Sequence, residues 1–259
     1  MKLKMIAAAL AIAAAGNAHA IIEDGALNNG ELFMTVWDQD GQTSYILDLN
    51  VHMNDFLSYI ATPGHAYHYA ADATMTTFLA GVTNKSGLLF AIGAMDSNGA
   101  TATDFHRYIT TASSIDLNDT VTNLDLKQLG NYGAQFLGNV NGMIGDSNSL
   151  VVTDKSVLAY AGSGVWGSNW GSGANFTSTG LIGDGDLNMY FLSQTSGTFA
   201  ARLNPSHYEA LLQDGNQVVA KLDMDGNLTI AAVPEAETYA LMLAGLGLVG
   251  FMARRRKAV

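Results

Sequence analysis

The chain has 259 residues, 12 Lys+Arg against 23 Asp+Glu, no cysteine and 48% hydrophobic residues. Without cysteine there are no disulfides, thiolate metal centres or cysteine nucleophiles, and the length allows one medium domain or at most two small ones. The 28 Gly, 3 Pro and 14% charged residues suit many short strands joined by tight turns, around a real hydrophobic core.

The N-terminus places Lys2 and Lys4 before an apolar run from Met5 to Ala15, then Asn17-Ala18-His19-Ala20. Basic start, short apolar stretch and small residues at Ala18 and Ala20 make a secretory signal peptide over residues 1–20, with Ile21 as the first mature residue. The alternative is a buried N-terminal helix.

Strand signals dominate residues 21–232. Glu31–Trp37 and Thr43–Asp48 flank Asp38-Gln39-Asp40-Gly41, a hairpin signal. Asn54 is placed to cap a short helix from Asp55 to Ile60, ended before Pro63-Gly64. Ser86–Met95 is nearly continuously apolar, as a fully buried strand requires. From Val121 to Val140, Leu126, Leu129, Tyr132, Phe136, Leu137 and Val140 recur at helical steps, against the cost of Gly130, Gly133 and Gly138. Leu150–Val152 and Ser156–Tyr160 predict a second hairpin, and Gly162–Phe176 a long flexible loop. Leu187–Ser193 and Gly197–Leu203 read as strands around a polar turn. Pro205–Leu212 reads as a short helix capped by Asn204. Gln217–Leu222 and Asn227–Ala231 flank Asp223-Met224-Asp225-Gly226, another hairpin. Together these predict one mainly β domain, an antiparallel β-sandwich with one or two short peripheral helices.

Residues 21–233 hold six basic residues (Lys85, Arg107, Lys127, Lys155, Arg202 and Lys221) against 21 acidic ones, a net charge of −15. Such a domain repels nucleic acid, which requires clustered Lys and Arg.

Few residues promise chemistry. On a helix His65, His68 and Asp72 would share one face and could hold a metal, but they lack the order of a metalloprotease. Twelve-residue calcium loops starting at Asp38 and Asp223 would need an oxygen at Leu49 and Pro234, so neither is an EF-hand; these turns, like Asp184-Gly185-Asp186, read as turn chemistry. Ser163, Ser168 and Ser172 lie among glycines without a Gly-x-Ser-x-Gly elbow. The expectation is therefore no enzyme, no catalytic residue, no metal and no cofactor. Trp166 and Trp170 in the Gly-rich loop are the binding candidates, as tryptophans that stack on sugar rings or else plug the core.

At the C-terminus Val233-Pro234-Glu235-Ala236 precedes an apolar span over 239–253 and the basic cluster Arg254-Arg255-Arg256-Lys257. As a helix the 15-residue span measures ~22 Å against a ~30 Å hydrocarbon core. The basic cluster keeps the end of the chain cytoplasmic. This arrangement over 233–259 resembles the PEP-CTERM sorting signal, with Pro-Glu-Ala where that family usually has Pro-Glu-Pro. The resemblance implies a transient stay in the inner membrane and processing at Pro234-Glu235 by an exosortase-type membrane enzyme. It also implies release to the cell surface or extracellular matrix, often beside exopolysaccharide. The plain alternative is a C-terminal membrane anchor. For the 21–232 domain the expected role is structural or adhesive; the alternative is binding or processing of carbohydrate.

Cleavage after Ala20 sets the first test. N-terminal sequencing of the exported protein is expected to begin Ile21-Ile22-Glu23, and a start at Met1 would overturn the signal-peptide reading.

Overall fold

The computed structural model describes residues 21–25, 29–96, 106–117, 121–183 and 185–233; both terminal signals lie outside the described residues. In chain order the elements are β1 (Glu31–Asp38), β2 (Thr43–His52), α1 (Met53–Ile60), β3 (Tyr67–Tyr69), α2 (Ala73–Gly81), β4 (Leu89–Asp96), β5 (Arg107–Ala112), β6 (Ser114–Ile115) and α3 (Asn123–Ile144). They continue with β7 (Ser149–Val152), β8 (Phe176–Thr177), β9 (Gly180–Leu181), β10 (Leu187–Ser193), β11 (His207–Ala210), β12 (Leu212–Gln213), β13 (Asn216–Leu222) and β14 (Leu228–Ala232).

Twelve of these strands form one curled antiparallel sheet, ordered β3-β14-β13-β10-β5-β4-β1-β2-β7, with β9, β11 and β12 paired off this path to β4, β10 and β13. β6 and β8 make a separate two-stranded ladder. Alternate residues of β1 enter different cores. Leu32, Met34 and Val36 face a cluster with α1 and α2, whereas Phe33 faces one with α3 and the Gly-rich loop. The mainly β, antiparallel reading holds, and the expected sandwich is not confirmed. Among the described residues no second large sheet faces the first; helices and a loop cover it. The near-continuous apolar run of β4 follows directly, because a strand covered on both faces has no polar side.

Both Asp-x-Asp-Gly hairpins form: β1 pairs with β2, and β13 with β14. In the first turn an Asp38 carboxylate oxygen accepts from the Asp40 and Gly41 amides at 3.1 and 3.0 Å. In the second an Asp223 oxygen accepts from the Asp225 and Asn227 amides at 2.9 and 2.8 Å. The long helix forms as α3, capped by a box in which Thr122 and Asp125 serve each other's backbone amides. α1 begins at Met53, with His52 rather than Asn54 at its N-cap.

Three local readings give way, two of them to long-range pairing. Leu150–Val152 joins the outer edge of β2 as β7 instead of turning back on Ser156–Tyr160. That following segment folds into tight turns, where the Tyr160 hydroxyl accepts from Trp37 Nε1 at 2.7 Å. Residues 205–212 form no helix. β13 pairs with β10 only at Leu187 and Asn188, and β11 satisfies the same edge from Tyr190 to Ser193. Gly197–Leu203 is not a strand but a loop with one 3-10 turn, Phe199–Ala201. α2 was not legible: its apolar residues Met75, Phe78 and Leu79 are short and flanked by threonines, and its start is set by the Asp72 carboxylate accepting from Met75 N at 2.6 Å.

The glycine pattern explains the packing. A Cβ at Gly93 of β4 would come within 2.7 Å of the Trp166 ring, so that position must lack a side chain. A Cβ at Gly138 of α3 would meet nothing within 4 Å. Gly93→Ala should cost about 1–3 kcal/mol by overpacking, while Gly138→Ala should stabilise the protein by about 0.5–1 kcal/mol through backbone entropy. Urea unfolding of both variants checks the opposite signs.

Candidate functional site

The structure disperses or buries the candidates named from sequence. Trp166 and Trp170 are both 0% exposed. Their rings lie 4.5 Å apart, and Trp166 also stacks on Phe136 of α3 at 4.9 Å. Trp166 Nε1 donates to Thr35 Oγ1 at 3.0 Å and Trp170 Nε1 to the Leu129 carbonyl at 3.3 Å. Both side chains are core, and neither offers a face to a sugar. His65, His68 and Asp72 share no helix face. His65 stacks on Tyr59 at 4.2 Å, His68 lies in β3 with Nδ1 3.3 Å from Thr229 Oγ1, and Asp72 caps α2. Among the described residues no group of three or more His, Asp or Glu is placed to hold a metal ion. The sorting residues Pro234, Glu235, Arg254, Arg255, Arg256 and Lys257, and the cleavage residues Ala18 and Ala20, lie outside the described residues.

A cleft that the sequence did not announce lies between the first turns of α3 and the loop 194–202. Its volume is about 390 Å³ and its walls include Lys127, Gln128, Asn131, Ser196, Thr198, Phe199 and Arg202. The buried Asn123 side chain builds it. Asn123 Nδ2 donates to Thr195 Oγ1 at 3.1 Å and to the Ala201 carbonyl at 3.0 Å, and its Oδ1 accepts from Thr195 N at 2.9 Å. The buried Gln194 adds a second tie, donating to the Asn123 carbonyl at 2.6 Å and accepting from His106 N at 3.1 Å. Leu124 N donates to the Arg202 carbonyl at 2.9 Å, so the loop itself satisfies part of the helix start.

This frame leaves a large ring in water. Phe199 is 71% exposed. The Arg202 guanidinium lies 4.1 Å from its ring centroid, and Arg202 Nη1 donates to the Phe199 carbonyl at 3.1 Å. The cation–π contact fixes both groups. Among the described residues neither Lys127 nor Arg202 forms an ion pair. Two of the domain's six basic residues thus stand unneutralised in one cleft of a domain with net charge −15. A second, more open trough of about 500 Å³ is lined by Ser113, Thr177, Thr179, Asp186 and Asn188 and carries no cation.

Residues 232–257 match the PEP-CTERM protein-sorting motif. The motif marks an exosortase-dependent extracellular protein that is exported and held transiently at the membrane by its C-terminus. The match covers the tail and leaves the domain 21–231 unassigned. Neither a curated protein nor a solved structure matches the chain. No helix among the described residues is long and apolar enough to cross a membrane.

One buried acid outside the cleft makes stability depend on pH. Asp48 of β2 is 3% exposed, and burial raises its pKa to about 7. The hydrogen bond from Asn50 N opposes the rise, Glu31 adds to it and His52 offsets it. A carboxyl group raised in the folded state is stabilising below its unfolded pKa, and that contribution is lost as pH climbs through about 7. Unfolding free energy should therefore fall by a few kcal/mol, to order of magnitude, between pH 4 and 8. Asp48→Asn keeps an acceptor for the Asn50 amide and should flatten this slope in urea titrations across that range.

Proposed function

We propose that the domain works at the cell surface or in the extracellular matrix in a structural or adhesive, non-enzymatic role, after its tail has been removed near Pro234-Glu235. The match of 232–257 to the sorting motif carries this reading. The domain's boundaries support it. β14 ends at Ala232, and Val233 N donates to the Gln217 carbonyl, so a cut at Pro234-Glu235 falls beyond the last strand of the described residues. At the other end Ile22 is fully buried, and its N–H and C=O both pair with the Asn141 side-chain amide at 3.0 Å. A mature chain starting at Ile21 therefore docks its second residue in the core.

A second reading, carbohydrate binding, is favoured by the cleft: an exposed aromatic ring with amide and hydroxyl groups beside it is the chemistry that sugars recruit.

The processing step is tested by the mass of the exported protein. Arg and Lys cost roughly 2.5–3.5 kcal/mol each at the membrane centre, so the basic cluster should hold the tail and present Pro234-Glu235 outside. Secreted wild-type protein is expected to lack residues 239–259. Replacing Pro234 and Glu235 by Ala should leave it anchored and uncut, and deleting 254–257 should impair retention. Secreted protein that still carries 239–259 would refute the processing reading.

A further inference from the structure

Charge and surface chemistry together narrow the ligand of the cleft. A net charge of −15 over residues 21–233 opposes any anion approaching the domain at random. Lys127 and Arg202 place two positive charges in this cleft, with no carboxylate of the protein paired to either among the described residues. A buried ligand cation would be repelled there, and a ligand carboxylate would find a point charge from Lys127 and a planar donor fork from Arg202. Because Arg202 backs the Phe199 ring at 4.1 Å, it is held in place before any ligand arrives.

The rest of the site offers hydrogen-bonding groups and an apolar ring of the kind a hydroxylated ligand uses. From the cleft, α3 presents an exposed row of amides, Gln128, Asn131, Gln135 and Asn139, beside the 41% exposed Tyr132. Over its 22 residues α3 carries only Asp125 and Lys127 as charges, so this face is neutral within an acidic domain. Gln135 and Asn139 donate back to the helix carbonyls of Asn131 and Gln135, and among the described residues their amide oxygens accept from no protein donor. From Gln128 to Asn139 the row extends ~16 Å, the reach of several linked sugars rather than of one small anion. The exposed face of Phe199 supplies an apolar platform for the C–H face of a pyranose.

We propose that this cleft and the adjoining face of α3 bind an acidic polysaccharide, with a uronate carboxylate between Lys127 and Arg202, a sugar ring on Phe199 and further hydroxyls along the amide row. The inference rests on the carbohydrate-binding reading and is independent of tail processing, which the mass measurement tests by itself.

The test uses the full-length chain in a mild neutral detergent and measures binding to polygalacturonate, dextran sulfate, neutral dextran and poly-glutamate by calorimetry. Polygalacturonate should bind, and its affinity should fall at least about tenfold in Phe199→Ala and in Arg202→Gln. Lys221→Gln, which removes an exposed charge on β13, should leave it unchanged. Phe199 is exposed and Arg202 half-buried, and unaltered melting temperatures would show that the fold persists. Equal loss in Lys221→Gln would mean general electrostatics and overturn the site. Binding of neutral dextran as tightly as polygalacturonate would overturn the role of the cations. Equal binding of poly-glutamate would overturn the saccharide, and equal or tighter binding of dextran sulfate would overturn carboxylate selection. No binding to any probe would refute the proposal and leave the sorting reading standing.

Discussion

The indole of Trp166 lies against the backbone of β4, and much of the domain's second core depends on that contact. It is possible only because Gly93 has no side chain beneath the ring. Phe33 from the sheet sits 4.8 Å from the ring, Phe136 from α3 at 4.9 Å and Trp170 at 4.5 Å. Thr35 receives the indole N–H, so the buried polar atom is satisfied within the sheet itself. One side chain thus joins sheet, helix and Gly-rich loop. A single sheet with two apolar faces needs a cover on each side. α1 and α2 provide one cover, and α3 with the Trp loop provides the other.

The cleft follows from the same anchoring. With its middle held at Phe136, α3 projects its N-terminal turns to the end of β10, where the chain leaves the sheet at Ser193. Asn123 and Gln194, both buried, tie helix start to loop with hydrogen bonds of 2.6–3.1 Å. A loop fixed at its base by buried polar groups can hold Phe199 out in water without being free to fold inward. That is a cost the hydrophobic effect opposes, and it is offset locally by the Arg202 guanidinium on the ring. The outcome is an exposed aromatic and two cations at one spot on a domain of net negative charge.

Aromatic residues show how far local reading carries. The Trp166 and Trp170 loop, rich in glycine, has the composition of an adaptable exposed binding loop, yet both rings are core. Phe199 sits in a segment that reads as a strand, yet it is the exposed ring. Composition reports what a segment tolerates, while burial depends on what lies opposite. The partners of Trp166 are Thr35, Gly93 and Phe136, brought from three separate elements. Likewise the helix-like capping pattern at Asn204-Pro205 yielded to an unfilled edge of β10, because backbone groups of a central strand left unpaired cost more than a local propensity returns.

What the sequence determined by itself is what neighbouring residues decide among themselves. The two Asp-x-Asp-Gly turns close on their own carboxylates, the periodicity of 121–140 forms α3, the apolar run of β4 demands burial, and the tail carries its sorting motif in a contiguous 26 residues, 232–257. Only the tertiary structure decided that one curled sheet carries a cover on each face, that the tryptophans face inward, and that Lys127 lines one cleft with Phe199 and Arg202 across more than 70 residues of chain. The reason is range: turn hydrogen bonds and helical spacing act over a few residues, whereas burial and convergence depend on strand register and on which distant element covers each face.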